Sequence, residues 1–472
     1  MNCSDSGFQV LTSSNYTFLM NPNIFRENDI RGIVDEQLSE ETVWKIARAI
    51  GTYFRRNGAK QIAVGYDARE SSTKFYEILI EGLNQTGCDC ILIGRVPTPV
   101  LYFTVFTKKV DGGVMITGSH NPANHNGFKV SLGKESLYGS QIQEIKEIAI
   151  SGDFAAGVGK SESLEIWDDY FFQLSSRINF GKRKLKVVID AGNGMGGVTA
   201  VPFYQGLGVE IIELFCRPDS SFPNHEPDPS QENNLQDLIR EVLKNKADCG
   251  IAFDGDADRI TIIDEMGRVI WGDELLILLS REVLRQYPNS TIVAEVKCTQ
   301  VLFDEIEKLG GRAVMSKAGH SIIKAQMRET NAILGGEMSG HIFFADRFYG
   351  FDDACYAGAR VLEILSQTDR SLAGIFADFP QTFSTPEIRV DCTEEKKTRV
   401  IDKLIREFSQ TNEIITIDGV RIKFESGWGV VRPSNTQAIL VLRFEADSEE
   451  NLEIIRRTVE GSLKNELAKA GR

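Results

Sequence analysis

No apolar run in the 472-residue chain approaches the roughly 20 residues that a membrane-crossing helix needs, which excludes a helical span. The first twenty residues contain no Lys or Arg and no continuous apolar core. Neither a secretory signal nor a mitochondrial presequence is therefore expected, and the cytoplasm is the expected location. The eight cysteines include no Cys-x-x-Cys pair, and several lie inside apolar stretches. They read as reduced core fillers rather than a zinc or disulfide framework, and Cys88-Asp89-Cys90, with no second ligand cluster, receives no role. Positive charge is scarce: 53 Lys and Arg against 67 Asp and Glu give a formal net charge of −14, which argues against a nucleic-acid partner. The same balance sets an unfavourable field for any anionic small molecule, so basic residues in loops become informative. Histidine is rare as well, with five in the chain, all expected in loops dense with Gly, Asn, Pro or Ser.

What is present is ordinary core material, 42% hydrophobic and 25% charged residues, in a chain long enough for about three domains. The N-terminal third alternates helical and strand patterns. Val43, Ile46, Ala47, Ile50 and Phe54 mark one helix face, opened by Ser39 and closed at Asn57-Gly58. Strands are expected at 61–65, 91–93 and 113–116, each ending in a Gly- or Pro-bearing loop, the rhythm of an α/β domain whose ligand loops lie at carboxyl strand ends. Residues 151–163 read as a linker. A second cycle starts with the strand 186–190, and a third contains the strand 291–296, the loop Lys317-Ala318-Gly319-His320 and the loop 335–341. Beyond Thr385-Pro386 the pattern becomes strand, helix, a hairpin turning at Asp418-Gly419, further strands and a terminal helix, a separate α+β unit.

Two runs carry the chemistry. Thr117-Gly118-Ser119-His120-Asn121-Pro122 puts a hydroxyl among turn formers just after a strand, with His120 beside it and Lys129 ten residues on. A serine hydroxyl is a poor nucleophile and needs a neighbouring base or a stored phosphoryl group. Asp254-Gly255-Asp256-Ala257-Asp258-Arg259 projects three carboxylates from alternate positions of one loop. A calcium-binding EF-hand also starts this way, with Glu265 at position twelve, but Arg259 stands where that loop needs Gly and the flanks read as strands. Monodentate carboxylates with open positions suit Mg²⁺ instead. If the two loops face each other, the cation neutralises a phosphate esterified to Ser119 while Arg259 offsets further charge. Arg432-Pro433-Ser434-Asn435-Thr436, with Arg421 across the predicted hairpin, could enclose a phosphate dianion. Glu337 and Ser339, bracketed by glycines, could bond adjacent sugar hydroxyls.

Taken together these runs resemble the α-D-phosphohexomutase family over nearly the whole chain and in the family's order. Phe25-Arg26-Glu27-Asn28-Asp29-Ile30-Arg31-Gly32 is similar to its N-terminal motif, 117–122 to its phosphoserine loop and 254–259 to its Mg²⁺ loop. Gly336-Glu337-Met338-Ser339-Gly340-His341 resembles its sugar-specificity loop, and 432–436 its phosphate loop. Met338 is the form of the bacterial phosphomannomutase/phosphoglucomutase branch, where phosphoglucosamine mutases carry Gln. Asn28 departs from the pattern, which usually has Tyr there.

The resemblance implies three similar mixed α/β-sheet domains and a smaller α+β C-terminal domain around a central cleft, over 1–164, 165–268, 269–381 and 382–472. It implies that Ser119 is phosphorylated in the active form, that Asp254, Asp256 and Asp258 hold Mg²⁺ with Ser119, and that Arg31 and Lys129 assist proton transfer. Lys297, His320 and His341 would lie near the sugar. Arg421, Arg432, Ser434, Asn435 and Thr436 would grip the distant phosphate. The expected partners are sugar phosphates, with a hexose 1,6-bisphosphate as activator and a monomer or homodimer as the assembly. Rival readings are a phosphoglucosamine mutase, a serine-phosphoenzyme sugar phosphatase, and a sugar-phosphate-binding protein without turnover.

Overall fold

A computed structural model describes residues 20–434 and 438–470. Ser39 caps the first helix, Glu40–Arg56, by accepting from the Thr42 N–H at 3.2 Å, and acidic residues in its first turn and basic ones in its last complement the helix dipole. Among the described residues no helix is long and apolar enough to cross a membrane.

Four sheets follow one another along the chain. In the first, Gln61–Tyr66 lies parallel to Asp89–Arg95 on one side and to Gly112–Ile116 on the other, and the antiparallel strands His125–Leu132 and Ile30–Ile33 extend that second side. The second sheet sets Lys186–Asp190 parallel to Glu210–Leu214 and to Cys249–Phe253, with Ile260–Asp264 antiparallel to the latter. In the third, Thr291–Glu295 is parallel to Arg312–Ser316 and Leu334–Gly336, and Ile342–Phe344 closes antiparallel. The same unit therefore recurs three times: a parallel core whose last parallel strand turns back into an antiparallel neighbour. The loop inside that pair is 117–124 in the first sheet, 254–259 in the second and 337–341 in the third.

The fourth sheet, built on Val420–Phe424, Gly427–Pro433 and Ile439–Ala446, is antiparallel throughout and covered by the helices Glu394–Phe408 and Glu449–Ala470. It has its own core, including Val400, Leu404, Leu442, Phe444 and Val459, whereas one continuous apolar cluster runs through the first three sheets. Mixed α/β units plus an α+β unit are thus what the sequence predicts.

Two expectations need correction. The end of the stretch read as a linker, Ser161–Ser163, is a strand that pairs with Asp89–Arg95 and widens the first sheet. Nor do all five histidines sit in loops, since His125 opens a strand and His320 opens the helix His320–Thr330. Glycine-rich flanks mark the end of a connection as readily as its middle.

Candidate active site

Ser119 is 1% exposed and adopts φ 48°, a left-handed conformation costing an L-residue about 1–2 kcal/mol. Arg69 over-determines that geometry. Its guanidinium, fully buried, donates to four carbonyls of the loop: Ser119 at 2.8 Å, Asn121 at 2.5 Å, Pro122 at 2.6 Å and His125 at 3.0 Å. Asp67 accepts from the Gly118 N–H at 3.2 Å and lies 3.3 Å from Arg69 Nε. Gly118 is required here, because a Cβ would fall 2.4 Å from the Arg69 side chain.

The aspartate loop closes on this serine from the second sheet. Ser119 Oγ donates to Asp254 Oδ2 at 2.8 Å, and His120 Nδ1 lies 3.1 Å from Ser119 Oγ. Close approach fixes Gly255, where a Cβ would stand 2.5 Å from the Ser119 carbonyl. Asp254, Asp256 and Asp258 are fully buried, with one carboxylate oxygen from each lying within 4.8 Å of the others. Asp254 Oδ1 accepts from the N–H groups of Asp258 and Arg259, at 3.0 and 3.1 Å, while Asp256 Oδ1 and Asp258 Oδ1 are buried without a hydrogen-bond partner. An all-oxygen set with two unsatisfied, inward oxygens fits a hard divalent cation. The strands on both sides of the loop agree with the rejection of an EF-hand.

Lys129, on the strand His125–Leu132, reaches across the two sheets to Asp258 and to Asp256 Oδ2, the latter at 2.8 Å. Burial alone would favour its neutral amine, but the facing carboxylates outweigh that and hold it protonated. For Asp256 burial likewise opposes the charge, and Lys129 with the Thr98 hydroxyl at 2.5 Å keeps it a carboxylate. Burial and its two neighbouring aspartates push Asp254 well above the carboxylate range. His120 is held neutral by burial and by the charges of Arg259 and Arg31. Arg31 itself is buried and paired with Asp29.

The third sheet contributes the loop 337–341 and the start of the helix His320–Thr330. Glu337 accepts from the Gly319 N–H at 2.5 Å. Glu295, whose carboxyl is raised to about 7 by burial, accepts from the Met338 N–H at 2.9 Å. His341 stacks on His320 with centroids 5.3 Å apart, and its Nε2 accepts from Arg259 Nε at 2.9 Å, so this loop touches the aspartate loop directly. Ser339 is half-buried on the same loop.

At the fourth sheet, Arg432 Nε donates to Asp418 Oδ2 at 2.7 Å, and that oxygen also accepts from the Ala318 N–H at 3.1 Å. Lys297 pairs with Glu387 and lies 3.5 Å from Glu295, and although burial opposes its charge, those carboxylates hold it protonated. Ser434 is described; Asn435 and Thr436 lie outside the described residues. Arg421 corrects the expectation placed on it. Its guanidinium is buried, donates to the Val296 and Cys298 carbonyls at 2.6 and 3.0 Å and to Gln300 Oε1 at 3.0 Å, and stacks 3.7 Å over Trp428. It docks the fourth sheet on the third instead of facing the phosphate loop, because the strand Val420–Phe424 turns it toward the intersheet contact.

Sequence reasoning missed Asp67, Arg69, Glu295, Lys324, Asp352 and Asp418. Asp67-Ala68-Arg69 had an available signal, a charged run at the carboxyl end of the strand Gln61–Tyr66. Asp352 and Asp418 carried none.

Family profiles match all four units: phosphoglucomutase/phosphomannomutase alpha/beta/alpha domain I over 22–156, domain II over 168–267, domain III over 271–383 and the C-terminal domain over 387–461. The chain is 47% identical over 436 residues to a phosphomannomutase/phosphoglucomutase of Pseudomonas putida, covering 92% of this chain and 94% of that one. Identity to the Pseudomonas aeruginosa protein of the same name is 46% over 444 residues, 94% of this chain and 96% of that one. A crystal structure of a phosphoglucomutase/phosphomannomutase family protein from Burkholderia thailandensis superposes with a TM-score of 0.90 at 39% identity, covering 95% of this chain and 98% of that one.

Proposed function

The chain belongs to the phosphoglucomutase/phosphomannomutase family, and from that membership we propose how its loops divide one reaction. The protein is a hexose-phosphate mutase, an isomerase-class phosphotransferase that interconverts hexose 1-phosphate and hexose 6-phosphate. The phosphoryl group carried on Ser119 passes to the free hydroxyl of the sugar phosphate, forming one O–P bond as the seryl O–P bond breaks. The resulting 1,6-bisphosphate turns end over end, and its other phosphate returns to Ser119. Enzyme whose Ser119 is free is primed by the same bisphosphate, which acts as activator.

The observation that carries this reading is the 2.8 Å contact between Ser119 Oγ and Asp254 Oδ2 across two sheets. Mg²⁺ held by Asp254, Asp256 and Asp258 would supply charge neutralisation for the phosphoryl group at Ser119. Arg259 and Lys129 add positive charge on the same side, and His120, neutral and beside the seryl oxygen, can take up or return a proton there. Arg31, whose charge bears on His120, assists proton transfer there together with Lys129. Glu337 and Ser339 bond the sugar hydroxyls, with Lys297, His320 and His341 around the ring. Arg432, Ser434, Asn435 and Thr436 hold whichever phosphate is not reacting, which lets one reactive centre serve both half-reactions. Met338 favours mannose or glucose over glucosamine.

Mannose 1-phosphate or glucose 1-phosphate, incubated with the protein, Mg²⁺ and a trace of the 1,6-bisphosphate, is expected to yield the 6-phosphate by ³¹P NMR. Release of inorganic phosphate at the same rate would replace the mutase with a phosphatase. Competing kcat/KM values for the mannose, glucose and glucosamine 1-phosphates rank the substrates.

A further inference from the structure

Asp352 lies eleven residues beyond the sugar loop's end and is fully buried. An isolated antiparallel bridge between Phe343 and Asp352 ties its backbone to the strand Ile342–Phe344, directly after His341. Its two carboxylate oxygens have separate partners. Oδ1 accepts from Lys324 Nζ at 3.1 Å, while Oδ2 stands 2.9 Å from His341 Nδ1 and 3.8 Å from His320 Nδ1. The Oδ2–Nδ1 pair is within hydrogen-bonding distance, and neither atom has any other hydrogen-bond partner.

The other face of the imidazole decides the tautomer. Arg259 Nε is a donor and never an acceptor, so His341 Nε2, 2.9 Å away, must present its lone pair. The ring proton then sits on Nδ1, whose nearest carboxylate oxygen is Asp352 Oδ2, 2.9 Å away. We infer that Asp352 is a positioning residue: it fixes the Nδ1–H tautomer of His341, which in turn holds Arg259 by its Nε and leaves both terminal nitrogens of the guanidinium for the transferring phosphoryl group. The role rests on the mutase reading above only for its kinetic consequence. Asp258, His341 and Asp352 also have the spacing of a metal site, but a protonated Nδ1 cannot ligate, so the tautomer separates the two possibilities.

Lys324 makes the test sharp. Its ammonium can only donate, so in Asp352→Asn the amide oxygen turns to Lys324 and the NH₂ group to His341 Nδ1. The ring is then driven to the Nε2–H form, whose proton meets the Arg259 N–H. Two donors face each other, and the arginine loses its post.

The first measurement is made on the wild type, with ¹⁵N-labelled histidine. His341 is expected to show a pyrrole-type Nδ1 and a pyridine-type Nε2 at neutral pH; the opposite assignment overturns the inference with no variant needed. In Asp352→Asn the assignment is expected to invert, and kcat to fall on the order of 10²-fold with KM for the hexose 1-phosphate changed less than about threefold. Adding Lys324→Met frees the amide to flip, so Asp352→Asn/Lys324→Met is expected to regain the wild-type tautomer and at least about tenfold in kcat over the single variant. A role confined to packing would give no inversion and no rescue, and an Asp352→Asn enzyme with wild-type kcat would equally refute the assignment. Wild type that forms no 6-phosphate would instead sink the mutase reading and leave the tautomer result standing.

Discussion

At Ser119 and at Arg432 the protein gathers cations and carboxylates in opposite ways. Around Ser119, Lys129 spans two aspartates on a different sheet, Thr98 and backbone N–H groups bond the carboxylates, and Arg69 pins the serine loop from behind. Around Arg432 the closest partner of each cation is a single carboxylate, Asp418 for Arg432 and Glu387 for Lys297, which on the proposed reading an arriving phosphate dianion would displace. In the proposed reaction the shared, backbone-braced set at Ser119 would suit the fixed geometry that electrostatic stabilisation of a transition state demands, and the one-to-one pairs at Arg432 would suit exchange. A sugar bisphosphate that must turn around needs a grip that can be released.

The largest effect should come from the fixed end. Ser119→Ala is expected to lower kcat by roughly 10⁴-fold or more while binding of hexose phosphate, followed by calorimetry, changes little. Normal turnover in that variant would remove the comparison altogether. Arg69→Met leaves four buried loop carbonyls short of a donor, and the expected loss is roughly 3–5 kcal/mol in urea unfolding together with most activity. At the exchanging end Arg432→Lys should raise KM about tenfold, close to 1.4 kcal/mol, with kcat nearly unchanged. A kcat loss without a KM change would show that this end, too, acts in the transition state.

The smallest effect is a pH dependence at Glu295, whose buried carboxyl titrates at about 7. A folded-state value above the unfolded one means that the native state binds the proton more tightly, so this group's contribution is complete below about pH 4.5 and is lost as pH rises toward 7. Glu295→Gln keeps the acceptor for the Met338 N–H but cannot ionise. The stability of wild type relative to this variant is expected to rise by about 1–3 kcal/mol between pH 7 and pH 5, measured by urea unfolding. A difference that is flat with pH would show that Glu295 ionises at no cost.

The reactive end was the more legible in sequence. Ser119 and the three aspartates sit at carboxyl strand ends among turn formers, and periodicity alone puts them in loops. Their facing each other is a tertiary fact, which Gly255 enforces and no local pattern encodes. Arg421 misled because hairpin proximity to Arg432 says which strand a side chain occupies but not which neighbour competes for it; Trp428 and the Val296 carbonyl win. Asp352 and Asp418 were invisible because each acts on a partner more than ten residues away, His341 and Arg432. The threefold recurrence of a parallel core turning back into an antiparallel neighbour also escaped detection, since it repeats strand direction and not residue identity.

Arg69 and Asp67 hold the serine loop entirely through its main chain, and none of those bonds uses the seryl oxygen. In the proposed reaction, esterifying or freeing Ser119 would therefore leave those bonds in place. The cargo would be loaded and unloaded on a mount that does not register the weight, and a resting enzyme would be recharged without refolding the loop.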